Sequence, residues 1–179
     1  MNDQEALTLL HAAIPSTEGE AWADLGAGGG VFTRALASLV GARGQVVAVD
    51  EDERALAGLM RWAATLRGGP EIVVIKADIS RPFALPIVDG VVMANVLHFV
   101  ADAGEVLSRV AERLRPGGRV VVIEYEGRRP SRWVPHPLSA ARFAELAAGA
   151  GLTPPRIAAT RASAFGGELY VAVAERAEP

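Results

Sequence analysis

Residues 24–30 read DLGAGGG, Asp24 to Gly30, one carboxylate and four glycines in seven positions. Just upstream, EAWADLG is a short apolar run that ends in the glycines, which suits a buried strand. Downstream, VFTRALASLV places Val31, Leu36, Leu39 and Val40 on one side of a helix that the glycines open. A strand, a glycine turn and a helix in that order leave the first N–H groups of the helix free to meet a negative group. Gly26 and Gly30 are expected to take backbone angles closed to other residues, and Gly28 to let the main chain approach a ligand. A turn of this kind also serves simply to pack a helix onto its strand, so the rest of the chain has to decide.

Working outward, the βα rhythm repeats. Leu7, Leu10 and Ile14 recur at helical spacing over residues 3–14 until Pro15 stops them. GQVVAVD (44–50) is a second strand, and EDERALAGLMRWAATLR (51–67) a helix with Leu56, Leu59, Met60 and Ala63 inward. EIVVIKAD (71–78) and VDGVVMANVL (88–97) are the third and fourth strands. A helix from Ala103 to Leu114 ends at RPGG, and RVVVIEYE (119–126) is the fifth strand. Unbroken Val/Ile strands alternating with helices predict a parallel sheet covered on both faces. After it, GRRPSRWVPHP leads to a helix that Ser139 caps and that runs to Ala148. RIAATRA and ELYVAVAE, joined by SAFGG, read as a hairpin, so one strand should run antiparallel. The expected fold is a Rossmann-like three-layer α/β sandwich with a mostly parallel seven-stranded sheet closed by a C-terminal antiparallel hairpin. It is expected to form one domain over 1–179, with a lead-in helix in 1–19, the βα half in 20–126, and a loop, helix and hairpin in 127–179.

Half of the 179 residues are hydrophobic, the formal net charge is −3, and there is no cysteine. The mild charge argues against a nucleic-acid partner. The missing cysteines exclude disulfides, thiolate metal sites and cysteine nucleophiles, and no cluster of acids suggests a metal. No uncharged apolar run approaches the ~18 residues of a membrane span, and MNDQEALTLL carries acids where a signal peptide carries bases. A cytoplasmic protein is expected.

The glycine spacing narrows the ligand. A dinucleotide fingerprint is G-x-G-x-x-G. Gly26 and Gly28 fit it, but the sixth position is Val31 and the third glycine, Gly30, comes one residue early. DLGAGGG instead resembles motif I of the class I S-adenosylmethionine-dependent methyltransferases. Asp50 ends the second strand, where an acid accepts hydrogen bonds from ribose hydroxyls in either kind of site, or else caps the next helix. Asp52 reads as a solvated acid. IKADISRPF, DGVVMANVLHFV and LRPGGRVVVIEYE are similar in order to the later motifs of the family's small-molecule members, which include the quinone-biosynthesis methyltransferases.

The resemblance covers roughly Glu20 to Glu175 and implies S-adenosylmethionine as cofactor and S-adenosylhomocysteine as product. It assigns Asp24, Gly26, Ala27, Gly28 and Gly30 to the methionine end, with Asp24 reaching the ammonium directly or through water, or only bracing the loop. It assigns Asp50 to the ribose hydroxyls, Asp78 to the adenine amino group and the Ile79 N–H to the ring, with Glu51 and with Asn95 just past the fourth strand as further cofactor-binding residues. A nicotinamide oxidoreductase and a non-catalytic binder of the same cofactor are the alternatives.

For the acceptor side, His98, Glu124 and Tyr125 are the candidate catalytic residues. His98 reads equally as a packing or capping residue, and Glu124 and Tyr125 alternate faces, so one of them at most should reach the pocket. His136, between two prolines, reads as structural. The family's Asn/Asp-Pro-Pro-Tyr/Phe motif is replaced by ANVL, which argues against amide or base nitrogens as acceptors. Cover for the pocket must come from the N-terminal helix and the 127–137 loop, or from a partner in a homodimer. Arg128, Arg129, Arg132 and Trp133 in that loop suit a small anionic or aromatic acceptor, or are a solvated surface.

Overall fold

The computed structural model describes residues 1–163 and 167–177; three residues of the SAFGG loop, 164–166, lie outside that range. Seven strands form one sheet: β1 (Ala21–Leu25), β2 (Gln45–Asp50), β3 (Glu71–Lys76), β4 (Val88–Ala94), β5 (Leu114–Glu126), β6 (Arg156–Ala162) and β7 (Glu168–Glu175). Their order is β3-β2-β1-β4-β5-β7-β6. β7 alone runs against the rest, pairing antiparallel with both β5 and β6. The α-helices among the described residues are α1 (Asp3–Ala13), α2 (Val31–Val40), α3 (Glu53–Ala63), α4 (Ala103–Arg113) and α5 (Ala140–Gly149).

The pleat sorts the strand residues into two cores. Val91, Met93, Val120 and Val122 face α4 and α5, while Val92, Val121 and Ile123 face α1 and α2. Ala48 packs on the same side as these last, under Leu56 and Leu59 of α3. The central strands therefore bury alternate side chains on one helical layer and the other, the period-2 rule for a sheet covered on both faces. Trp22 and Gly90 sit opposite each other across the β1–β4 ladder. A Cβ on Gly90 would overlap the Trp22 ring, so the indole takes the space that the glycine leaves.

The chain leaves β3 for the far side of β1, so strand order reverses between β1 and β4. In open α/β sheets, ligands bind at the carboxyl ends of the strands beside such a reversal. Several boundaries differ from the sequence expectation. α3 occupies 53–63 instead of 51–67, and Met60 is exposed. β5 starts at Leu114: Leu114 pairs Val88 and Arg119 pairs Gly90, so Arg115–Gly118 bulge out of the strand and are not a turn before it. Ser139 does cap α5, accepting from the Arg142 N–H at 3.2 Å.

Candidate active site

β1 delivers the chain into the glycine loop at Gly26. Gly26, Gly28 and Gly30 have φ of 80°, 49° and 82°, the left-handed region that favours glycine. Their surroundings differ. A Cβ on Gly26 would overlap Val96 and one on Gly30 would overlap Leu59, whereas one on Gly28 would meet nothing within 4 Å. The outer two glycines are thus fixed by packing, and the middle one faces open space. Ala27 between them is buried.

Asp24 is buried beneath this loop, where the Thr33 hydroxyl donates to its Oδ2 at 2.6 Å. Burial pushes its carboxyl up to about 6, the Thr33 bond opposes that, and the charge of Asp50 adds to it. Asp24 ties β1 to α2 and is not among the residues that wall the cavity beside the loop.

Asp50 ends β2 and faces the loop. Its Oδ2 accepts from the Gly28 N–H at 2.7 Å and its Oδ1 from the Asp52 N–H at 2.8 Å, and each oxygen keeps a lone pair. Asp50 is not the cap of α3. That role belongs to Asp52, whose Oδ1 accepts from the Arg54 and Ala55 N–H groups, so Asp52 is not a merely solvated acid. Asp78, past β3, accepts from the Ser80 hydroxyl and N–H at 2.6 and 2.8 Å, with Arg81 at 3.3 Å. The two Ser80 bonds lead in holding its carboxyl below the usual range, with Arg81 and Arg109 helping.

Gly26, Asp50, Glu51, Asp78, Ile79 and Asn95 come together around a cavity of about 450 Å³. Ala27, Gly28 and Gly30 complete the loop without lining it. Three carboxylates and no basic residue stand in its wall. Asn95 is the one non-glycine residue with positive φ (53°) among the described residues. Its Oδ1 is buried without a hydrogen-bond partner among them. A strained backbone and an unpaired buried oxygen both cost stability, and such features cluster at functional sites.

Asn95 and Phe99 also line a second cavity of about 800 Å³, so the two spaces adjoin. Tyr125, Arg128, Arg129, Trp133 and Val134 supply its other walls. Trp133 is 72% exposed and Phe99 56%. The Arg128 guanidinium lies 5.0 Å from the Tyr125 ring, and Arg132 5.0 Å from that of Trp133. Burial and the Glu124 charge raise the Tyr125 hydroxyl, against the pull of Arg128. His98 forms part of the wall from a short 3₁₀ turn, Leu97–Phe99. Its Nδ1 is 2.7 Å from Oε2 of the buried Glu124. Of the alternating pair on β5, Tyr125 reaches the cavity and Glu124 stands behind His98. His136 holds the turn from outside, its N–H donating to the His98 carbonyl at 2.9 Å. No residue of α1 lines either cavity; the 127–137 loop covers the second one.

Val96 and Phe99 are wall residues that sequence reasoning missed. The signal for Phe99 was an aromatic directly after the fourth strand, beside a candidate histidine.

Residues 23–122 match the family described as "Methyltransferase domain". An uncharacterized 37.1 kDa protein in transposon TN4556 of Streptomyces fradiae is 33% identical over 116 residues; the match spans 63% of this chain but 32% of that protein. Among solved structures, an arsenic(III) S-adenosylmethionine methyltransferase from Chlamydomonas reinhardtii superposes with a TM-score of 0.77 at 22% identity, over 98% of this chain and 73% of that one. The 1,6-didemethyltoxoflavin N1-methyltransferase of Burkholderia thailandensis gives 0.74 at 23%, over 98% and 78%. These likenesses show the fold, which is the one of S-adenosylmethionine-dependent methyltransferases. No described helix is long and apolar enough to cross a membrane.

Proposed function

Since the chain belongs to the methyltransferase domain family, we propose that it binds S-adenosylmethionine in the cavity beside the glycine loop and transfers its methyl group to a small acceptor in the adjoining cavity. The observation that carries this reading is the wall of the first cavity, three carboxylates and no cation, beside a loop whose Gly28 faces open space. A dinucleotide brings a pyrophosphate that such a wall repels. S-adenosylmethionine carries a sulfonium, an ammonium and one carboxylate, and a wall of acids favours its net positive charge.

The residues present fit that ligand. Asp50 keeps a lone pair on each oxygen for ribose hydroxyls, and Asp78 with the Ile79 N–H suits an adenine edge. Gly28 admits the main chain close to the methionine part. The unpaired Asn95 oxygen is an acceptor in waiting where the two cavities meet. When bound, S-adenosylmethionine supplies a methyl carbon made electrophilic by the sulfonium. The chain's own part is to hold the acceptor in line and keep water out. Phe99, Trp133, Arg128 and Arg129 favour an acceptor that is small, aromatic or anionic. Residues 20–126 then act as the cofactor half and 127–179 supply the cover of the acceptor cavity within one domain.

A methyl-transfer screen with labelled S-adenosylmethionine across metabolite pools tests the reading. Label is expected in a small product. Tight binding of S-adenosylhomocysteine with no label in any acceptor would make the protein a non-catalytic binder.

A further inference from the structure

His98 and Glu124 are 3% and 1% exposed, an expensive place for two ionisable groups unless their geometry is used. The registry of β4 and β5 brings them together: Ala94 pairs Ile123, which sets the turn after β4 over the last inward residue of β5. Oε1 of Glu124 faces the His98 N–H at 3.2 Å and Oε2 faces Nδ1 at 2.7 Å. A main-chain N–H can only donate, so Oε1 accepts. With Glu124 ionised, Oε2 accepts as well, so a neutral imidazole carries its ring proton on Nδ1 and its lone pair on Nε2. Nε2 has no hydrogen-bond partner among the described residues, and His98 is one of the residues around the second cavity. Phe99, with its ring centroid 4.2 Å from that of His98, and Tyr125, at 5.9 Å, flank the imidazole.

We propose that His98 is the general base of the acceptor cavity, positioned by Glu124, and that the acceptor is a hydroxylated aromatic ring bearing an anionic group. The proposal rests on the methyl-transfer reading above. A base is needed only where the acceptor atom holds a proton, which a phenol does near neutral pH. Trp133 and Phe99 offer faces to a ring, and the Arg129 guanidinium stands in the same wall to meet a carboxylate or phosphate on it. In the step, the phenolic oxygen bonds to the methyl carbon, the carbon–sulfur bond breaks with its electron pair left on sulfur, and the phenolic proton passes to Nε2 of His98. The imidazolium so formed is stabilised by the Glu124 carboxylate and returns its proton to water.

The test uses hydroxybenzoates as probes, with aminobenzoates as controls, labelled S-adenosylmethionine as donor and S-adenosylhomocysteine titrations of every variant. The wild type is expected to methylate a hydroxybenzoate oxygen. His98→Gln should lower kcat by ~10²-fold and lose the acidic limb of the pH profile, with S-adenosylhomocysteine affinity unchanged. The charged and titratable groups that face His98 in that profile are Glu124, Tyr125, Arg128 and Arg129, with His136 behind the turn. Glu124→Gln keeps an oxygen for the His98 N–H, so it should fold. Its amide should move the ring proton to Nε2, which ¹⁵N NMR of His98 reads without any turnover. A His98→Gln enzyme as fast as wild type, or a wild-type ring protonated on Nε2, overturns the base. A wild type that binds S-adenosylhomocysteine but methylates no hydroxybenzoate overturns the acceptor class. Failure to bind S-adenosylhomocysteine removes the underlying reading and the proposal with it.

Discussion

The main-chain N–H of Gly28 donates to Oδ2 of Asp50 at 2.7 Å, so the glycine loop after β1 and the acid that ends β2 form one unit. The parallel ladder makes this possible: Leu25 pairs Val49, and the Gly26 N–H donates to the Val49 carbonyl at 2.8 Å. The acid that would hold a ribose also sets the shape of the loop that would hold the methionine end.

Asp50→Ala should therefore weaken S-adenosylhomocysteine binding by ~10- to 100-fold. The variant loses charge-assisted acceptors worth about 1.5–3 kcal/mol and also releases the Gly28 N–H. Calorimetric titration of wild type and variant checks this, and equal affinities would remove Asp50 from the site.

Gly28 and Gly26 should respond differently to substitution. Gly28→Val places its side chain in open space, so its fold cost is the positive φ alone, on the order of 1–2 kcal/mol, while cofactor binding should be abolished. Gly26→Val adds an overlap with Val96 to the same strain and should fail to fold. Thermal melts together with S-adenosylhomocysteine titration separate the two. A Gly28→Val protein that binds like wild type would reduce the loop to a turn.

Asp24 predicts a pH dependence of stability. Its carboxyl is pushed up to about 6 in the fold, against about 3.9 in an unfolded chain. Between those values the folded state binds more protons than the unfolded one, so stability falls as pH rises through that window and the full cost is present above it. At 1.36 kcal/mol per pH unit, the loss is on the order of 3 kcal/mol. Urea unfolding at pH 5 and pH 8 spans about half of that loss, ~1.4 kcal/mol, and should show a decline in wild type that Asp24→Asn lacks. An equal decline in both would assign it elsewhere.

The loop after β5 should act on the acceptor and not on the cofactor. Arg128 and Arg129 line the second cavity and not the first. Replacing both by Gln should raise the acceptor's KM while leaving S-adenosylhomocysteine affinity nearly unchanged. A large loss of cofactor affinity would place the loop on the other side of the pocket.

Local pattern made the sheet legible: apolar runs bounded by glycine located β1 and α2 closely, and the β-type runs of β6 and β7 were read residue for residue. Where two groups compete for one local role, pattern failed. Asp50 and Asp52 both precede α3, and only the fold shows that Asp52 caps it while Asp50 turns to Gly28. Met60 lay on the expected inner face, yet α3 is rotated so that Leu56 and Leu59 meet the sheet and Met60 meets solvent. His98 and Glu124 were each legible as candidates. Their pairing was not, because they are 26 residues apart and depend on strand registry. Asp24 reads from its place before the glycines either as a ligand or as a brace for the loop, and its buried bond to Thr33 depends on how α2 docks on β1.

The most direct measurement is a calorimetric titration of the purified chain with S-adenosylmethionine, S-adenosylhomocysteine, NAD and NADH under one set of conditions. An acid-lined cavity beside an open glycine loop predicts one site for each of the two sulfur ligands and no measurable heat from either nicotinamide dinucleotide. Binding of NAD or NADH without binding of S-adenosylhomocysteine would contradict the account.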